Sequence, residues 1–431
     1  MRILLLGAYG FIGNAIAHEL SARGHDVTGL GRDIDYGRRI LPHLRWVRAD
    51  LRDMVTVESW RPLLTNVDAI VNASGLLQSG DGGTVEAVQL HAIRALVQAC
   101  ETVGIRRFVQ ISATGARADA NSDFMATKGC SDAFIAASLV DALILRPGLV
   151  IGRNAYGGTE LIRTAAALPL RLHLPFEAPI QCVALADVVE AVANGLGPNA
   201  PSGKFDLVER QRRSLDSIIA NHREWLGFAE PKRSVAIPRW ILSLASWISD
   251  VLGALGWRSP LRRNGLLALV AGIQGNPEEA RSLLGRDPMP LEDVLAGQPS
   301  GIQDRLHARL AMVQPLIIAV LFIMWAASGV ATLLQIDRAT AILEGSGMDR
   351  GSARVIAIGG AWVDIVLAAG LLCRWTVRPS LLAMVALTVF VYLIGGTVLL
   401  PELWLNPLAP LAKALPATML ALVAYWLVEK R

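Results

Sequence analysis

The first thirty residues constrain this chain most. Residues 2–6 are an apolar run, and Gly7, Gly10 and Gly13 then follow at three-residue spacing with Ala8, Tyr9, Phe11 and Ile12 between them. Residues 14–23 carry a helical periodicity. The order is strand, tight turn, helix, and each glycine has a physical use. The first permits the turn, the second lets backbone amides approach a pyrophosphate, and the third lets the helix pack on the strand with its N-terminus toward the phosphates. A secretory leader competes with this reading, because Arg2 precedes the apolar run and Ala15-Ile16-Ala17 imitates a cleavage site. The continuation argues against a leader. After Gly24-His25-Asp26 a second apolar strand, 27–30, completes a strand-helix-strand unit. The N-terminus is therefore expected to be retained and to lie in the cytoplasm.

The alternation persists downstream. Strands are expected at 46–51, 68–72 and 107–112, and a sixth strand with its following loop over 141–152, with a helix over 84–103 and another around 124–128. A late strand is expected at 204–208. Strands alternating with helices at this interval imply an α/β fold with a parallel, doubly wound sheet whose ligand lies at the C-terminal strand ends. The second strand ends on Leu30-Gly31 and is followed by Arg32, with no carboxylate at the position that accepts a ribose 2′-hydroxyl; Arg32 suits a 2′-phosphate, so NADP is expected, while Asp33 keeps NAD open.

The G-x-x-G-x-x-G spacing resembles that of the short-chain dehydrogenase/reductase superfamily, in its atypical and extended branches. The resemblance covers about the first 300 residues and implies roles for particular positions. Asp50 and Leu51 match the adenine-contacting pair, although Asp50 also reads as a cap for the following helix. Asn72-Ala73-Ser74-Gly75 matches the element lining the nicotinamide ribose, and Pro147, Gly148 and Val150 match the loop that covers the nicotinamide. Ser112 matches the catalytic serine and Lys128 the catalytic lysine. The intervening tyrosine is absent: Phe124 stands four residues before Lys128 on the same helix face. A phenyl ring has no proton to exchange, so the family's acid/base step cannot run through it. Tyr156, in a glycine-rich loop, is the one nearby phenol that could substitute, against the plainer role of a packing aromatic. Asp187 reads as a helix cap.

Composition divides the chain. Of 431 residues, 53% are hydrophobic and 18% charged, against a usual ~45–50% and ~25%, and the excess lies beyond Met312. Four apolar stretches at 313–334, 355–373, 381–400 and 409–428 approach the ~20 residues that a bilayer core requires. This part resembles the DoxX-like membrane family. Glycines at 359, 360, 395 and 396 are expected to permit close helix packing. Arg305 and Arg309, Arg374 and Arg378, and Lys430 and Arg431 fall on one side, which the positive-inside rule makes cytoplasmic. The expected location is the cell's inner membrane, with the N-terminal domain and the C-terminus in the cytoplasm. Between the two parts, Trp240 and Trp247 share one face of an apolar helix near Arg258, Arg262 and Arg263, a pattern suited to a helix lying on the bilayer. Asp364, alone in the second span, needs a partner such as Gln335 or Tyr392.

The expected organisation is thus 1–230, nucleotide domain; 231–311, connector; 312–431, membrane domain. A net charge of +4 without a basic-aromatic cluster does not suggest nucleic acid, and the four scattered cysteines suggest neither a metal nor a redox pair. Two functions follow. One is a membrane-tethered NAD(P)-dependent oxidoreductase acting on a quinone or isoprenoid; the other is a nucleotide-binding structural or assembly protein of a respiratory membrane complex.

Overall fold

The computed structural model describes residues 1–76, 84–257, 259, 261–407 and 409–428. The expectations placed on Arg258, Lys430 and Arg431 lie outside the described residues. The chain forms two compact units, Met1–Trp247 with Ser259–Arg305, and Ile248–Arg258 with Leu306–Arg431.

In the first unit, seven strands build one sheet: β1 (Arg2–Leu6), β2 (Asp26–Gly31), β3 (Arg45–Arg48), β4 (Ala69–Asn72), β5 (Arg107–Ile111), β6 (Asp141–Pro147) and β7 (Gly203–Leu207). Their order is β7-β6-β5-β4-β1-β2-β3, and every pairing is parallel. The order reverses between β1 and β4, the switch point where ligands bind in doubly wound sheets. Helices α1 (Phe11–Ala22), α2 (Ala92–Val103), α3 (Asp123–Ala136) and α4 (Leu185–Asn194) cover the faces. Strand periodicity explains how both faces are filled. Ile3, Leu5, Val71 and Val109 pack with Ile16, Leu20 and Val188. The alternate residues Leu4, Leu6, Ile70 and Phe108 pack with Ile93, Leu96 and Ile135. The central strands are therefore apolar on both sides, as a sheet buried between helices requires.

Beyond Pro147 the chain leaves this sheet. Leu149–Ile151 pairs instead with Cys182–Ala184, and a third apolar cluster of Ile151, Ile162, Ile180, Ile218, Leu291 and Val294 gathers beneath it. Asp187 does not cap α4: the cap position is Ala184, without a side-chain bond. Asp187 lies buried within the first turn, where it accepts hydrogen bonds from the Arg286 guanidinium (2.7 Å) and the Met289 amide (2.8 Å). A carboxylate buried on a helix needs charge-assisted donors more than the helix needs the cap.

Among the described residues, four helices are long and apolar enough to cross a bilayer, and the second unit holds all or most of each: α6 (Ile302–Leu334), α7 (Arg350–Leu372), α8 (Val377–Leu399) and α9 (Pro410–Leu427). A further helix, α5 (Arg239–Ala254), contributes its last residues to this unit. Leu321, Trp325, Leu371, Leu381, Met384 and Ala424 form the core. Close approach is made by Gly329, whose missing side chain makes room for the Ala361 carbonyl, and by Gly370 and Gly396. Gly359 and Gly360 face open space instead. Asp364 accepts hydrogen bonds from the hydroxyls of Tyr392 (3.2 Å) and Ser328 (2.7 Å). Gln335 pairs with Arg338 instead. A π-helical segment, Thr388–Gly395, carries Tyr392.

Candidate dinucleotide site

The glycine turn has the geometry its spacing requires. Gly7 adopts φ +73°, a left-handed conformation that disfavours other residues, and the Gly10 amide donates to its carbonyl at 2.9 Å. A methyl at Gly7 would stand 2.8 Å from the Ala73 carbonyl and the Ser74 amide; one at Gly13 would overlap the Gly7 carbonyl. The loops after β1 and β4 and the start of α1 are thus drawn together. Gly10 caps α1 without a side-chain bond, and no acidic residue occupies the first turn. The positive end of the helix is left for an anion. A cradle that admits no Cβ and an open helix N-terminus fit a pyrophosphate.

At the end of β2, Tyr9 lies over Gly31, where any side chain would strike its ring. Tyr9 stacks on Trp46 with ring centroids 5.7 Å apart, and its hydroxyl accepts the Arg32 amide at 3.1 Å. Arg32 is exposed. The Asp33 carboxylate accepts the Tyr36 amide and so caps the next short helix. Asp50 does not cap a helix through its side chain; it binds Arg52 through backbone amide and guanidinium. Burial pushes its pKa up, but the hydrogen bonds from Arg52 outweigh this and hold it below the ordinary carboxylate value. Leu51 packs at the edge of the core beside it.

Asn72 ends β4, fully buried. Its amide donates to the Gln110 side chain (2.8 Å), and its oxygen accepts the Ser74 amide and hydroxyl. Gly75 follows, and a Cβ there would lie 3.9 Å from Nζ of Lys128. Lys128 is 5% exposed, and its ammonium donates to the Ile111 carbonyl at 2.9 Å. Burial lowers its pKa to about 8, with the charge of Asp132 opposing. Nζ stands 5.6 Å from the centre of the Phe124 ring, within reach of a cation–π contact. The nearest aromatic to the lysine on its own helix therefore offers a π face and no proton.

Ser112 is engaged as well. Its hydroxyl donates to Asp132 at 2.7 Å, and Arg146 donates to the same carboxylate oxygen at 3.1 Å. Burial raises the pKa of Asp132 despite the Ser112 hydroxyl and the charges of Arg146 and Lys128. Sequence reading missed Asp132, Arg146 and Gln110. Asp132 had a signal, since it lies four residues after Lys128 and so on the same face; the others had none, because each meets a partner from another element, Gln110 on a neighbouring strand and Arg146 on the helix α3.

Thr114 fastens the next loop: its amide donates to the Pro147 carbonyl and its hydroxyl to the Arg146 carbonyl. The Gly148 amide donates to Leu207, and Val150 pairs with Val183. Tyr156 is 58% exposed and lies parallel to Phe11 with centroids 6.1 Å apart. Among the described residues, its phenol makes no hydrogen bond to Ser112 or Lys128. Among the described residues there is also no cluster of metal-ligating side chains.

The fold and this cradle define an NAD(P)-binding Rossmann domain, followed by a DoxX-like region of membrane-length helices. Residues 7–168 match the NAD(P)H-binding family, and residues 322–422 match the DoxX-like family. Among curated proteins, the chain is 24% identical over 304 residues to NADH dehydrogenase [ubiquinone] 1 alpha subcomplex subunit 9, mitochondrial, of Rattus norvegicus, covering 67% of this chain and 77% of the rat protein. It is 28% identical over 147 residues to Photosystem II assembly factor Ycf39 of Synechocystis, covering 34% of this chain and 44% of that one. Among solved structures, the Bordetella bronchiseptica enzyme WbmG in complex with NAD matches with TM-score 0.54 and 16% identity, over 69% of this chain and 92% of the enzyme. The UDP-glucose 4-epimerase of Thermotoga maritima matches with TM-score 0.53 and 15% identity, over 71% and 100%. At these identities the two structures bear on the fold alone.

Proposed function

We propose that this chain is a membrane-anchored protein that holds NADP(H) as a bound ligand for a membrane complex, without turning it over. The observation that carries the reading is Phe124: the position from which a proton must be exchanged beside Lys128 is a phenyl ring, 5.6 Å from the ammonium. The engagement of Ser112 by Asp132 supports it too, since that hydroxyl is already committed as a donor. Two relatives are, by name, a subunit of NADH dehydrogenase and a photosystem assembly factor, and each name attaches its protein to a larger complex. The residues that would hold the dinucleotide are the 7–13 turn for the pyrophosphate, Asp50 and Leu51 for the adenine, 72–75 and Lys128 for the nicotinamide ribose, and 147–150 over the nicotinamide. Arg32 favours the 2′-phosphate of NADP. The proposed boundaries are 230 and 311, with the nucleotide domain and the C-terminus in the cytoplasm at the inner membrane.

A second reading rests on Lys128 itself. A buried lysine with its pKa lowered to about 8 can exchange a proton near neutral pH. Bound NADPH would supply hydride to a lipid-soluble acceptor such as a quinone or isoprenoid, the chain's own part being to position the acceptor and relay a proton from Lys128, Tyr156 or water. Stopped-flow mixing of the NADPH-loaded protein in nanodiscs with a panel of quinones and isoprenoid carbonyls separates the two. Retention of NADPH absorbance throughout supports a non-catalytic ligand; steady oxidation with any acceptor overturns it.

A further inference from the structure

Helix α5 is amphipathic with its sides reversed. Trp240, Leu244, Trp247 and Val251 recur at intervals of four, three and four, and with Ile241 and Ile248 they form one apolar stripe about 120° wide. That stripe faces outward: Trp240 is 66% exposed, Trp247 64%, and the other four are exposed as well. The residues turned inward are small, with Ser246, Ser249 and Gly253 buried. A water-facing helix places its residues the other way round.

What covers the stripe is indicated by where the helix ends. The Trp257 indole donates to the carbonyl of Leu372 at 2.8 Å, and Leu372 is the last residue of α7. The Arg374 amide donates to the Leu255 carbonyl at 2.9 Å, and its guanidinium stands 5.6 Å from the Trp257 ring. α5 is therefore fastened to the turn between two bilayer-crossing helices, which is the level at which a chain passes from hydrocarbon to headgroup. Tryptophans favour that level. Lys232, Arg233 and Arg239 precede the stripe and Arg262 and Arg263 follow it, whereas Asp250 is the one acid within the helix. Such flanks match anionic headgroups.

We propose that α5 is an in-plane membrane anchor, its apolar stripe seated at the headgroup–acyl boundary of an anionic bilayer. The inference does not depend on whether the dinucleotide is turned over. The test uses the full-length chain in nanodiscs of phosphatidylcholine and phosphatidylglycerol. In a background without native cysteines, spin labels are placed singly by Trp240→Cys, Leu244→Cys, Trp247→Cys and Val251→Cys, with Leu139→Cys, exposed on the nucleotide unit, as the aqueous control. The four helix labels should be accessible to oxygen and shielded from a water-soluble nickel complex, at a depth of about 5–10 Å, while the control shows the reverse. Labels open to the nickel complex, or immobile and closed to both reagents as beneath a second copy or another protein, overturn the proposal. A measurement without substitutions stands beside it. Wild-type protein irradiated with diazirine-bearing phospholipid should carry lipid adducts on the 239–254 peptide as well as on the spans, and adducts confined to the spans overturn it equally.

Discussion

Lys128 makes the stability of the nucleotide domain depend on pH in an unusual direction. Its pKa falls from an ordinary 10.5 to about 8 on folding, a difference worth about 3 kcal/mol at about 1.4 kcal/mol per pH unit. Below pH 8 the lysine is protonated in both states, and the folded state carries the whole desolvation cost. Between about 8 and 10.5 the folded protein releases its proton while the unfolded chain keeps it, so the unfolded state binds more protons and stability rises with pH. Lys128→Met removes the titration and the cost together. It also leaves the buried Ile111 carbonyl without its donor, at about 1–3 kcal/mol. The variant is therefore expected to match the wild type closely at pH 7 and to fall behind it by about 2–3 kcal/mol near pH 10. The assay is pulse proteolysis in urea on both full-length proteins in nanodiscs, without added dinucleotide, at half-unit intervals of pH. A difference that stays flat from pH 7 to 10 would refute the reasoning, because it would mean that the ammonium is as well solvated folded as unfolded.

Further expectations concern binding and the membrane. Gly13→Ala places a methyl against the Gly7 carbonyl and should weaken dinucleotide affinity by at least about tenfold in calorimetry, or about 1.4 kcal/mol; unchanged affinity would remove the pyrophosphate from this turn. The wild type should bind NADPH more tightly than NADH, and Arg32→Ala should abolish most of the difference, whereas equal affinities in the wild type would end the preference. Phe124→Tyr restores a phenol beside Lys128: a gain of carbonyl reduction would indicate a site otherwise assembled for chemistry, and no gain with binding intact favours the bound-ligand role. Asp364→Leu strands the Ser328 and Tyr392 hydroxyls and should lower membrane accumulation, while Asp364→Asn, which keeps an acceptor for both, should accumulate normally. Equal accumulation of the two would show that this cluster does not hold the helices together.

Much of this fold was legible because its signals are local. The glycine spacing of 7, 10 and 13 specifies a turn whose constraints lie within a few residues, and strands apolar on both faces announce a sheet covered by helices. The four spans are legible for the same kind of reason, since the bilayer sets their length and composition residue by residue. Phe124 was readable as well, being a chemical absence at a fixed spacing from Lys128. What the tertiary structure alone decided are partnerships between residues distant in sequence. The convergence of Ser112 and Arg146 as donors on the Asp132 carboxylate brings a strand end, a neighbouring strand and a helix together, and no periodicity records that convergence. Asp187 shows the same limit: its position predicts a cap, but burial beside Arg286, 99 residues away, gives its charge another use. The glycines of the spans show it again, for composition marks 359, 360, 395 and 396 alike as contact sites, whereas of these only Gly396 makes a close approach, together with Gly329 and Gly370. Sequence determines which residues can permit a contact, and the packing of one helix on another selects the few that make it.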